Sequence, residues 1–498
     1  MFFSAAPDAA AARFPAVAPS SVAQDRPFGG IRALVIVGGC VFLASLLGLG
    51  SRHTFSVSFW PANAVLVGLM LRHHPFNRRA GWVGALIGYV AADLMFGRAL
   101  SLAAFFAAAN LIGALTATAF LMRLDARDLG LRRVHSVLRI LASLLPGCLA
   151  AGLCGALLVT VEFGGSAAQA LLTWPASELV NYLVVLPAML TAPLAWAAAP
   201  RFGMPVLRGS AELWPALLLA FSGIAAVRFD GPGSIMFPMP ALLLCALTYT
   251  VPSVALITMA LGVGCLTTIG LGVIDIGQNM ADPRNVVSVR VAVAFLVLVP
   301  LTISSAMAVR DDLLDQLRDA ANHDGLTGLL NRRAFEEQMR ARLATAGRAD
   351  TGIAVLWLDI DHFKRINDHH GHLAGDAMLQ MFAATARACC RDGDLVARLG
   401  GEEFALVVDV PDARTAAAIT ERLRESFAAK TILWNGKAVR ATVSIAACHL
   451  SGPSDDIHGL FKRLDEALYL AKRQGRNRVE WLPDRIVADT QQPRASAG

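Results

Sequence analysis

The distribution of hydrophobic residues changes near residue 310 of this 498-residue chain. Before that point, long apolar segments follow one another with short polar connections, and most are long enough to cross a lipid bilayer. After it, hydrophobic residues recur at helical spacing in some segments and at alternate positions in others, which is typical of alternating helices and strands. The sequence therefore predicts an N-terminal all-α polytopic membrane domain followed by an α/β domain with a central sheet.

The apolar segments are the candidate transmembrane helices. They cover residues 33–50, 55–71, 81–96, 100–122, 137–160, 168–197, 212–227, 235–250, 252–273 and 287–309. Several are short or closely spaced, so we predict about eight to ten spans. Arginines favour the cytoplasmic side of a membrane, and here they occur at every second connection. They are Arg26, Arg32, Arg72, Arg78, Arg79, Arg123, Arg127, Arg132, Arg133, Arg139, Arg201 and Arg208. This pattern predicts a cytoplasmic N-terminus and a cytoplasmic region after Arg310.

The segment 309–321 has the hydrophobic spacing of a helix, with Leu313, Leu314 and Leu317 on one face. No turn signal separates it from the last apolar segment, so we expect one helix to continue out of the membrane. Two explanations of this short apolar face remain open: ordinary packing within the chain, and a short coiled coil in a dimer.

In the second domain, the periodicity predicts helices at 331–345, 373–389, 412–428 and 458–474. Strands are predicted at 353–358, on both sides of Gly400-Gly401, at 439–446 and at 479–482. The predicted organisation is a disordered tail at 1–27, a membrane domain at 28–309, a signalling helix at 310–322, an α/β domain at 323–485 and a disordered tail at 486–498.

Composition and charge agree with a membrane protein. Hydrophobic residues make up 55% of the chain and charged residues 16%. The net charge of +6 falls on arginines between apolar segments, so it indicates membrane topology and argues against nucleic acid as a partner. The eight cysteines lack metal-ligand spacing, so we expect them to be buried small hydrophobic side chains in a reducing compartment.

An acidic hairpin is the strongest chemical signal. The run Arg398-Leu399-Gly400-Gly401-Glu402-Glu403-Phe404 joins two predicted strands through two glycines, which favour a tight turn. Two adjacent carboxylates on such a turn repel each other unless a cation or a proton lies between them. Oxygen ligands of this kind suit Mg²⁺ bound to substrate phosphates. The alternative, on this stretch alone, is a solvated acidic hairpin.

Four further clusters accompany the hairpin, and each has a simpler structural explanation when taken alone. The run 323–335 is a turn before a helix, and Asp359-Ile360-Asp361 ends a buried strand, where ligands of open sheets bind. Asn367 and Asp376 offer an amide and a carboxylate that match the donor-rich edge of guanine. The cations in 471–478 suit phosphate or the end of a helix. Capping and loop hydrogen bonds are the alternatives.

Ionisable and polar residues also occur within the apolar segments. Glu178 and Asn181 lie about one helical turn apart, and Asp93 lies near the end of another segment. Such groups mark ligand or ion sites, or they form hydrogen bonds between helices, and the sequence leaves both open. The run Trp60-Pro61-Ala62-Asn63 resembles the opening of the MASE family of bacterial membrane sensor domains, a resemblance that covers residues 30–309.

The five soluble clusters together resemble the GGDEF domain of bacterial diguanylate cyclases, with the main motifs in order over residues 323–485. The signature appears here as Gly400-Gly401-Glu402-Glu403-Phe404. The resemblance implies a nucleotidyl-cyclase-like palm, with a mixed central sheet flanked by helices. It also implies condensation of two GTP molecules into cyclic di-GMP and two pyrophosphates, by two domains that meet face to face.

The resemblance assigns roles residue by residue. Asp359, the backbone carbonyl of Ile360 and Glu402 would hold two Mg²⁺ ions per half-site, with Mn²⁺ as an alternative ion, and Glu403 would support that site. Glu402 also stands at the position of the catalytic base. The substrate contacts would be Asn367, His372, Asp376, Lys364, Lys472 and Arg476. Arg391 and Asp394 match the Arg-x-x-Asp pattern that binds cyclic di-GMP as a feedback inhibitor.

These motifs predict a homodimer that forms through the catalytic domain and the signalling helix, in the inner membrane of a bacterium. The lipid bilayer, GTP and cyclic di-GMP are its expected partners. One alternative is an inactive GGDEF domain that binds GTP or cyclic di-GMP without turnover. Another is a transporter, which the scarcity of paired charges in the spans argues against.

Overall fold

A computed structural model describes residues 29–51, 59–192, 213–280, 282–345, 352–450 and 457–482. The predicted disordered tails lie outside the described residues, as do Arg26, Arg201 and Arg208. The chain forms two compact units, Met1–Asp312 and Leu313–Gly498, which we describe separately. All eight cysteines are free thiols, but the predicted burial holds for only half of them. Cys148, Cys245, Cys265 and Cys448 are buried, and the other four are partly exposed.

The first unit is helical throughout its described part, apart from turns, short 3-10 segments and connections. Its α-helices are α1 Gly29–Gly50, α2 Ala62–Arg72, α3 Arg79–Met95, α4 Leu100–Leu121, α5 Ala126–Leu129, α6 Ser136–Phe163, α7 Ala167–Thr191, α8 Trp214–Phe229, α9 Met239–Thr248, α10 Val251–Gly270 and α11 Pro283–Asn322. The last of these crosses the boundary between the units.

Five described helices are long and apolar enough to cross a membrane. They are Gly30–Gly50, Leu100–Leu121, Ser136–Phe163, Val251–Gly270 and Pro283–Asn322. Shorter apolar helices accompany them, at Ala62–Arg72, Trp214–Phe229 and Ser234–Thr248. Large apolar side chains on these helices are exposed, such as Leu47 at 69% and Leu153 at 62%. Outward-facing leucines of this kind suit a lipid surrounding. The number of spans and the orientation stay predictions.

Glycines allow two of these helices to pack at very short distance. A Cβ atom added at Gly84 of α3 would lie 2.3 Å from the carbonyl oxygen of Leu34 in α1. One added at Gly88 would lie 2.5 Å from the carbonyl oxygen of Gly38. Small residues at helix contacts are typical of membrane proteins, in which van der Waals packing must replace the hydrophobic effect.

The helix α11 confirms that the last apolar segment and the predicted signalling segment form one element. It runs for 40 residues without a break. Leu313, Leu314 and Leu317 follow the apolar part of the helix and are 53%, 41% and 65% exposed. The predicted apolar face is therefore uncovered in the single chain.

The second unit is a mixed six-stranded sheet with helices on both faces, as predicted. The strands are β1 Leu330–Asn331, β2 Gly352–Ile360, β3 Leu395–Gly400, β4 Glu403–Val410, β5 Ile432–Trp434, β6 Lys437–Val439, β7 Val443–Leu450 and β8 Val479–Trp481. The sheet order is β1-β3-β4-β2-β7-β8, and β5 pairs only with β6. β2 is antiparallel to both of its neighbours, whereas β1 pairs with β3 and β8 with β7 in parallel.

The helices of this unit are α12 Arg332–Thr345, α13 Phe363–His370, α14 His372–Cys389, α15 Ala413–Ala428 and α16 Ile457–Arg473. All nine residues of β2 are buried, since helices cover both faces of the sheet. One core contains Phe382 of α14 and Phe427 of α15. The other contains Phe335 of α12 and Leu464 of α16.

One predicted strand was displaced. We expected a strand at 439–446, whereas the structure has a short hairpin, β5–β6, followed by β7 at Val443–Leu450. Asn435 and Gly436 form the hairpin turn with φ values of 47° and 77°. An Asn-Gly pair between apolar residues is a strong turn signal. The predicted strand rested on alternating apolar positions alone and did not take this turn into account. The short helix α13 and the two-residue β1 were not predicted either.

Candidate active site

The central strand and the acidic hairpin end at the same edge of the sheet. β2 ends at Asp359-Ile360, and Asp359 lies opposite Glu403 in the ladder with β4. The backbone N–H of Ile360 donates to the carbonyl of Glu402 at 3.2 Å. The structure therefore brings together the two strand ends whose carboxylates the sequence singled out.

Arg398 fixes the turn that carries Glu402. Its Nε and Nη2 donate to the carbonyl of Gly401 at 3.0 and 2.7 Å. Its Nη1 lies 3.2 Å from both carboxylate oxygens of Asp324. Burial opposes ionisation of Asp324, but hydrogen bonds from Thr327 and Arg398 hold its pKa below the ordinary value. The turn before α12 and the acidic hairpin are thus tied together by an ion pair.

Three carboxylates lie at this edge, and the pKa of each is raised. Burial raises the pKa of Asp359, Glu402 and Glu403 above their ordinary values. The charge of Asp359 raises the pKa of both glutamates further. The nearest compensation is Lys472 of α16, whose Nζ lies 2.7 Å from Asp359 Oδ2. A site of this kind attracts cations because each bound positive charge relieves the repulsion.

The residues at this edge fit a divalent cation only in combination with a ligand. Among the residues that the structure describes, no group of three or more His, Cys, Asp or Glu side chains could hold a metal ion. The set expected from the sequence has two carboxylates and the carbonyl of Ile360. Mg²⁺ commonly binds through one or two carboxylates and completes its octahedron with water and substrate phosphates. The donor chemistry therefore suits Mg²⁺ held between the protein and a phosphate.

The predicted base-binding residues lie on the two helices after β2. Asn367 belongs to α13, and its Oδ1 is buried without a hydrogen-bond partner among the described residues. It lies against Gly375 of α14, where an added Cβ would come within 2.0 Å of it. Asp376 follows on α14 and is partly exposed. His372 begins α14, and both His372 and Lys364 are exposed. An orphaned buried amide oxygen beside a glycine is a position that a ligand donor can fill.

The predicted phosphate contacts lie at the end of α16. Gly475, Arg476 and Asn477 all have positive φ values, of 119°, 63° and 46°. Arg476 is exposed, and its backbone N–H donates to the carbonyl of Ala471 at 3.1 Å. Of the two predicted cations, Lys472 and Arg476, Lys472 lies at the acidic edge, where it forms an ion pair with Asp359.

Asp361 is a residue to which the sequence argument gave no role. It is 3% exposed and lies two residues after Asp359. Its carboxylate accepts from Thr442 Oγ1 and Ser444 Oγ, each at 2.6 Å, and from the backbone N–H of Asn477 at 3.0 Å. Asp361 thereby joins the end of β2, the start of β7 and the loop that carries Arg476. The signal was the Asp-x-Asp spacing, which puts two carboxylates on one side of the chain.

Comparison with known proteins gives this geometry a family. Residues 321–478 match the family model "Diguanylate cyclase, GGDEF domain". The probable diguanylate cyclase DgcF of Escherichia coli O157:H7 is 30% identical over 443 residues, which cover 86% of this chain and 89% of that protein. The chain belongs to the GGDEF diguanylate cyclases.

Other members of the family match over shorter lengths. The probable diguanylate cyclase DgcF of Escherichia coli K12 is 32% identical over 61% of this chain and 96% of its own length. Diguanylate cyclase DgcM of the same strain is 45% identical over 171 residues, 34% of this chain and 40% of DgcM. A crystal structure of the coiled coil and GGDEF domain of DgcB from Caulobacter crescentus, in complex with c-di-GMP, is 33% identical. It covers 36% of this chain and 95% of that chain, with a TM-score of 0.34.

The Arg-x-x-Asp residues of this diguanylate cyclase lie away from the acidic edge in the strand ladder, beyond the opposite end of β3. They form a tight turn, in which the backbone N–H of Arg391 donates to Asp394 Oδ2 at 2.7 Å. Gly393 completes the turn with a φ of 107°. Arg391 and Asp394 line a pocket together with Arg422 and Lys430. Three cationic side chains in one pocket suit an anionic ligand.

We predict that Asp361→Asn weakens nucleotide binding without unfolding the protein. The amide cannot accept from Thr442, Ser444 and Asn477 at once, so at least one of these three hydrogen bonds is lost or reversed and the anchor of the Arg476 loop is weakened. Leaving one buried donor unpaired costs about 1–3 kcal/mol. We expect affinity for a GTP analogue that resists cleavage to fall roughly tenfold, in equilibrium titrations of the full-length protein.

The matched control is Asp409→Asn, because Asp409 is exposed and pairs with Arg342 at 3.2 Å. Its affinity should equal that of the wild type. Unchanged affinity in Asp361→Asn, at an unchanged melting temperature, would contradict a positioning role for Asp361.

Proposed function

We propose that this diguanylate cyclase is active, and that it condenses two GTP molecules into cyclic di-GMP and two pyrophosphates under the control of its membrane unit. The observation that carries the proposal is the meeting of Asp359, Glu402 and Lys472 at one edge of the sheet. The amide oxygen of Asn367, which has no hydrogen-bond partner within the described part of the chain, supports it, since a nucleotide base can supply a donor.

Asp359, the carbonyl of Ile360 and Glu402 would hold the metal ions, two per half-site in the proposal, and Glu403 would support them from the neighbouring position. Mg²⁺ bound there, or Mn²⁺ in its place, would lower the pKa of an attacking hydroxyl and neutralise charge on the phosphates. The raised pKa values of the three carboxylates support this assignment, because burial and, for the two glutamates, the charge of Asp359 disfavour the ionised forms that a bound cation would stabilise.

The protein groups position the reactants. Glu402 accepts the proton of the attacking 3′-hydroxyl, a role that its raised pKa favours. Lys472 and Arg476 hold the triphosphate, with Lys364 and His372 as further contacts. Asn367 and Asp376 accept from the guanine edge. The 3′-oxygen bonds to the α-phosphorus of the second GTP, and pyrophosphate leaves.

Ring closure requires two such domains. Each domain holds one GTP in this proposal, so two domains must face each other and react twice in opposite senses. The uncovered Leu313, Leu314 and Leu317 supply a short apolar face for pairing two copies of α11. Dimerisation would thereby be a condition for catalysis, and a change in α11 would control it.

The membrane unit would act as the sensor. Its five apolar helices suggest a membrane protein, and the Trp60–Asn63 motif resembles the opening of the MASE sensors. We assign a multi-pass location in the bacterial inner membrane, with the cyclase unit in the cytoplasm.

Product inhibition is the second control in the proposal. Cyclic di-GMP would bind at Arg391 and Asp394, where Arg422 and Lys430 add positive charge. Guanidinium groups bind phosphate or guanine in a bidentate manner, which favours this ligand over a simple anion.

We predict that Glu402→Gln lowers cyclic di-GMP synthesis by at least about 100-fold, because a general base and a metal ligand are lost together. The measurement is product formation by full-length protein in lipid nanodiscs with GTP and Mg²⁺. Glu425→Gln, an exposed change on α15, is the control and should retain full activity. No product from the wild type, with Glu402→Gln indistinguishable from it, would identify an inactive binding module.

For Arg391→Ala we expect weaker feedback with unchanged initial rates. Loss of a charge-assisted hydrogen bond costs about 1.5–3 kcal/mol, so the inhibitory concentration of cyclic di-GMP should rise roughly 10- to 100-fold. Arg340→Ala, an exposed change on α12, serves as the control. Equal inhibition of Arg391→Ala and wild type would contradict inhibition by cyclic di-GMP bound at this pocket.

A further inference from the structure

The core of the membrane unit contains a buried polar cluster centred on Glu178 of α7. Glu178 is 4% exposed, Asn63 of α2 is 1% exposed and Asn110 of α4 is 7% exposed. Asn63 Nδ2 lies 2.9 Å from both carboxylate oxygens of Glu178 and 3.0 Å from Asn110 Oδ1. The hydroxyl of Tyr89, on α3, donates to Asn63 Oδ1 at 2.5 Å. Residues from four helices therefore converge on one carboxylate.

Four further titratable or charged side chains surround this carboxylate, and they belong to four helices. They are Tyr89 of α3, Cys148 of α6, Tyr182 of α7 and Arg290 of α11. Arg290 is the cation of this set. A buried carboxylate that interacts with one buried guanidinium is stable while both are charged, and neutralising either leaves the other exposed to the full desolvation penalty.

Arg290 holds α11 against α7 next to Glu178. Its Nη1 donates to the backbone carbonyl of Thr173 at 3.2 Å and to the hydroxyl of Ser177, the residue before Glu178. α11 is the helix that continues to Asn322, past the membrane unit. A change in the charge of Glu178 would therefore act on Arg290, which forms this contact between α11 and α7.

Tyr182 provides an unused hydrogen-bonding group in the same cluster. It lies four residues after Glu178 on α7, about one turn along the same face. The residue is 1% exposed, and its hydroxyl has no hydrogen-bond partner among the described residues. A neutral carboxyl group needs an acceptor for its proton, and the hydroxyl oxygen of Tyr182 can accept it. The cluster thus has partners for both forms of Glu178.

We propose that Glu178 is a proton-binding site of the membrane unit, ionised when it interacts with Arg290 and neutral when its carboxyl donates to Tyr182. Uptake of one proton converts the carboxylate into a carboxyl group and removes the charge that Arg290 faces. A proton changes the charge without requiring space in this close-packed cluster. The effect of this step on cyclic di-GMP output rests on the proposed control of the cyclase by the membrane unit.

The direct test is infrared difference spectroscopy of the full-length protein in lipid nanodiscs, titrated with pH. We expect a carboxylic-acid carbonyl band that titrates in the wild type and in Glu162→Gln, a change at an exposed position of α6. That band should be missing in Glu178→Gln. A spectrum of Glu178→Gln identical to that of the wild type would overturn the proton site.

Tyr182→Phe tests the same site if Glu178→Gln does not fold. It removes the acceptor for the neutral carboxyl, so the midpoint of the band should move to lower pH by about half a unit or more. An unchanged midpoint would overturn the assigned role of Tyr182.

The effect on output is tested separately, by the rate of cyclic di-GMP synthesis over the same pH range. We expect the ratio of the Glu178→Gln rate to the wild-type rate to change across the midpoint of the band, and the Glu162→Gln ratio to stay constant. A titrating band with a constant ratio would overturn control of the cyclase by this membrane site, whereas loss of activity in every variant would count against the proposed enzyme.

Discussion

Repulsion among Asp359, Glu402 and Glu403 is the interaction on which the cyclase unit depends. Burial raises the pKa of each carboxyl, and the charge of Asp359 raises the pKa of both glutamates further. Lys472, at 2.7 Å from Asp359, offsets part of that cost. A folded protein keeps such an arrangement when a ligand uses it, because apolar residues would pack there at lower cost. The acidic edge is therefore best understood as half of a site that a metal-bound triphosphate completes.

The rest of the unit holds this edge in place. The antiparallel ladder sets Asp359 opposite Glu403, and Arg398 joins the turn to Asp324. Asp361 ties the loop of Arg476 to β7. These supports are a strand ladder, a partly buried ion pair and hydrogen bonds to a buried carboxylate, which give the site the rigidity that phosphoryl transfer requires. In the helical first unit, Glu178 has a comparable position, since it too is a buried carboxylate within a hydrogen-bonded cluster that joins several helices.

The sequence was informative where local chemistry decides structure. The strand before Asp359, the glycine hairpin and the long α11 followed from apolar periodicity and turn residues. The roles of Asp361 and Asn63 could not be read in this way, because the partners of Asp361 are 81 to 116 residues away in the chain and those of Asn63 are 26 to 115 residues away. Periodicity also misplaced β7, since Val439 belongs to the hairpin about the Asn435-Gly436 turn and the next strand begins only at Val443. Tertiary contacts, which a single sequence does not contain, supplied the rest.

The most direct measurement of the central claim is a double-mutant cycle on Mn²⁺ binding, followed by electron paramagnetic resonance with a GTP analogue that resists cleavage. If Asp359 and Glu402 share a cation, Asp359→Asn and Glu402→Gln should each weaken binding by roughly tenfold or more, and the double variant should be little weaker than either single variant. Strictly additive losses, or wild-type affinity in either single variant, would contradict a shared ion at this edge of the sheet.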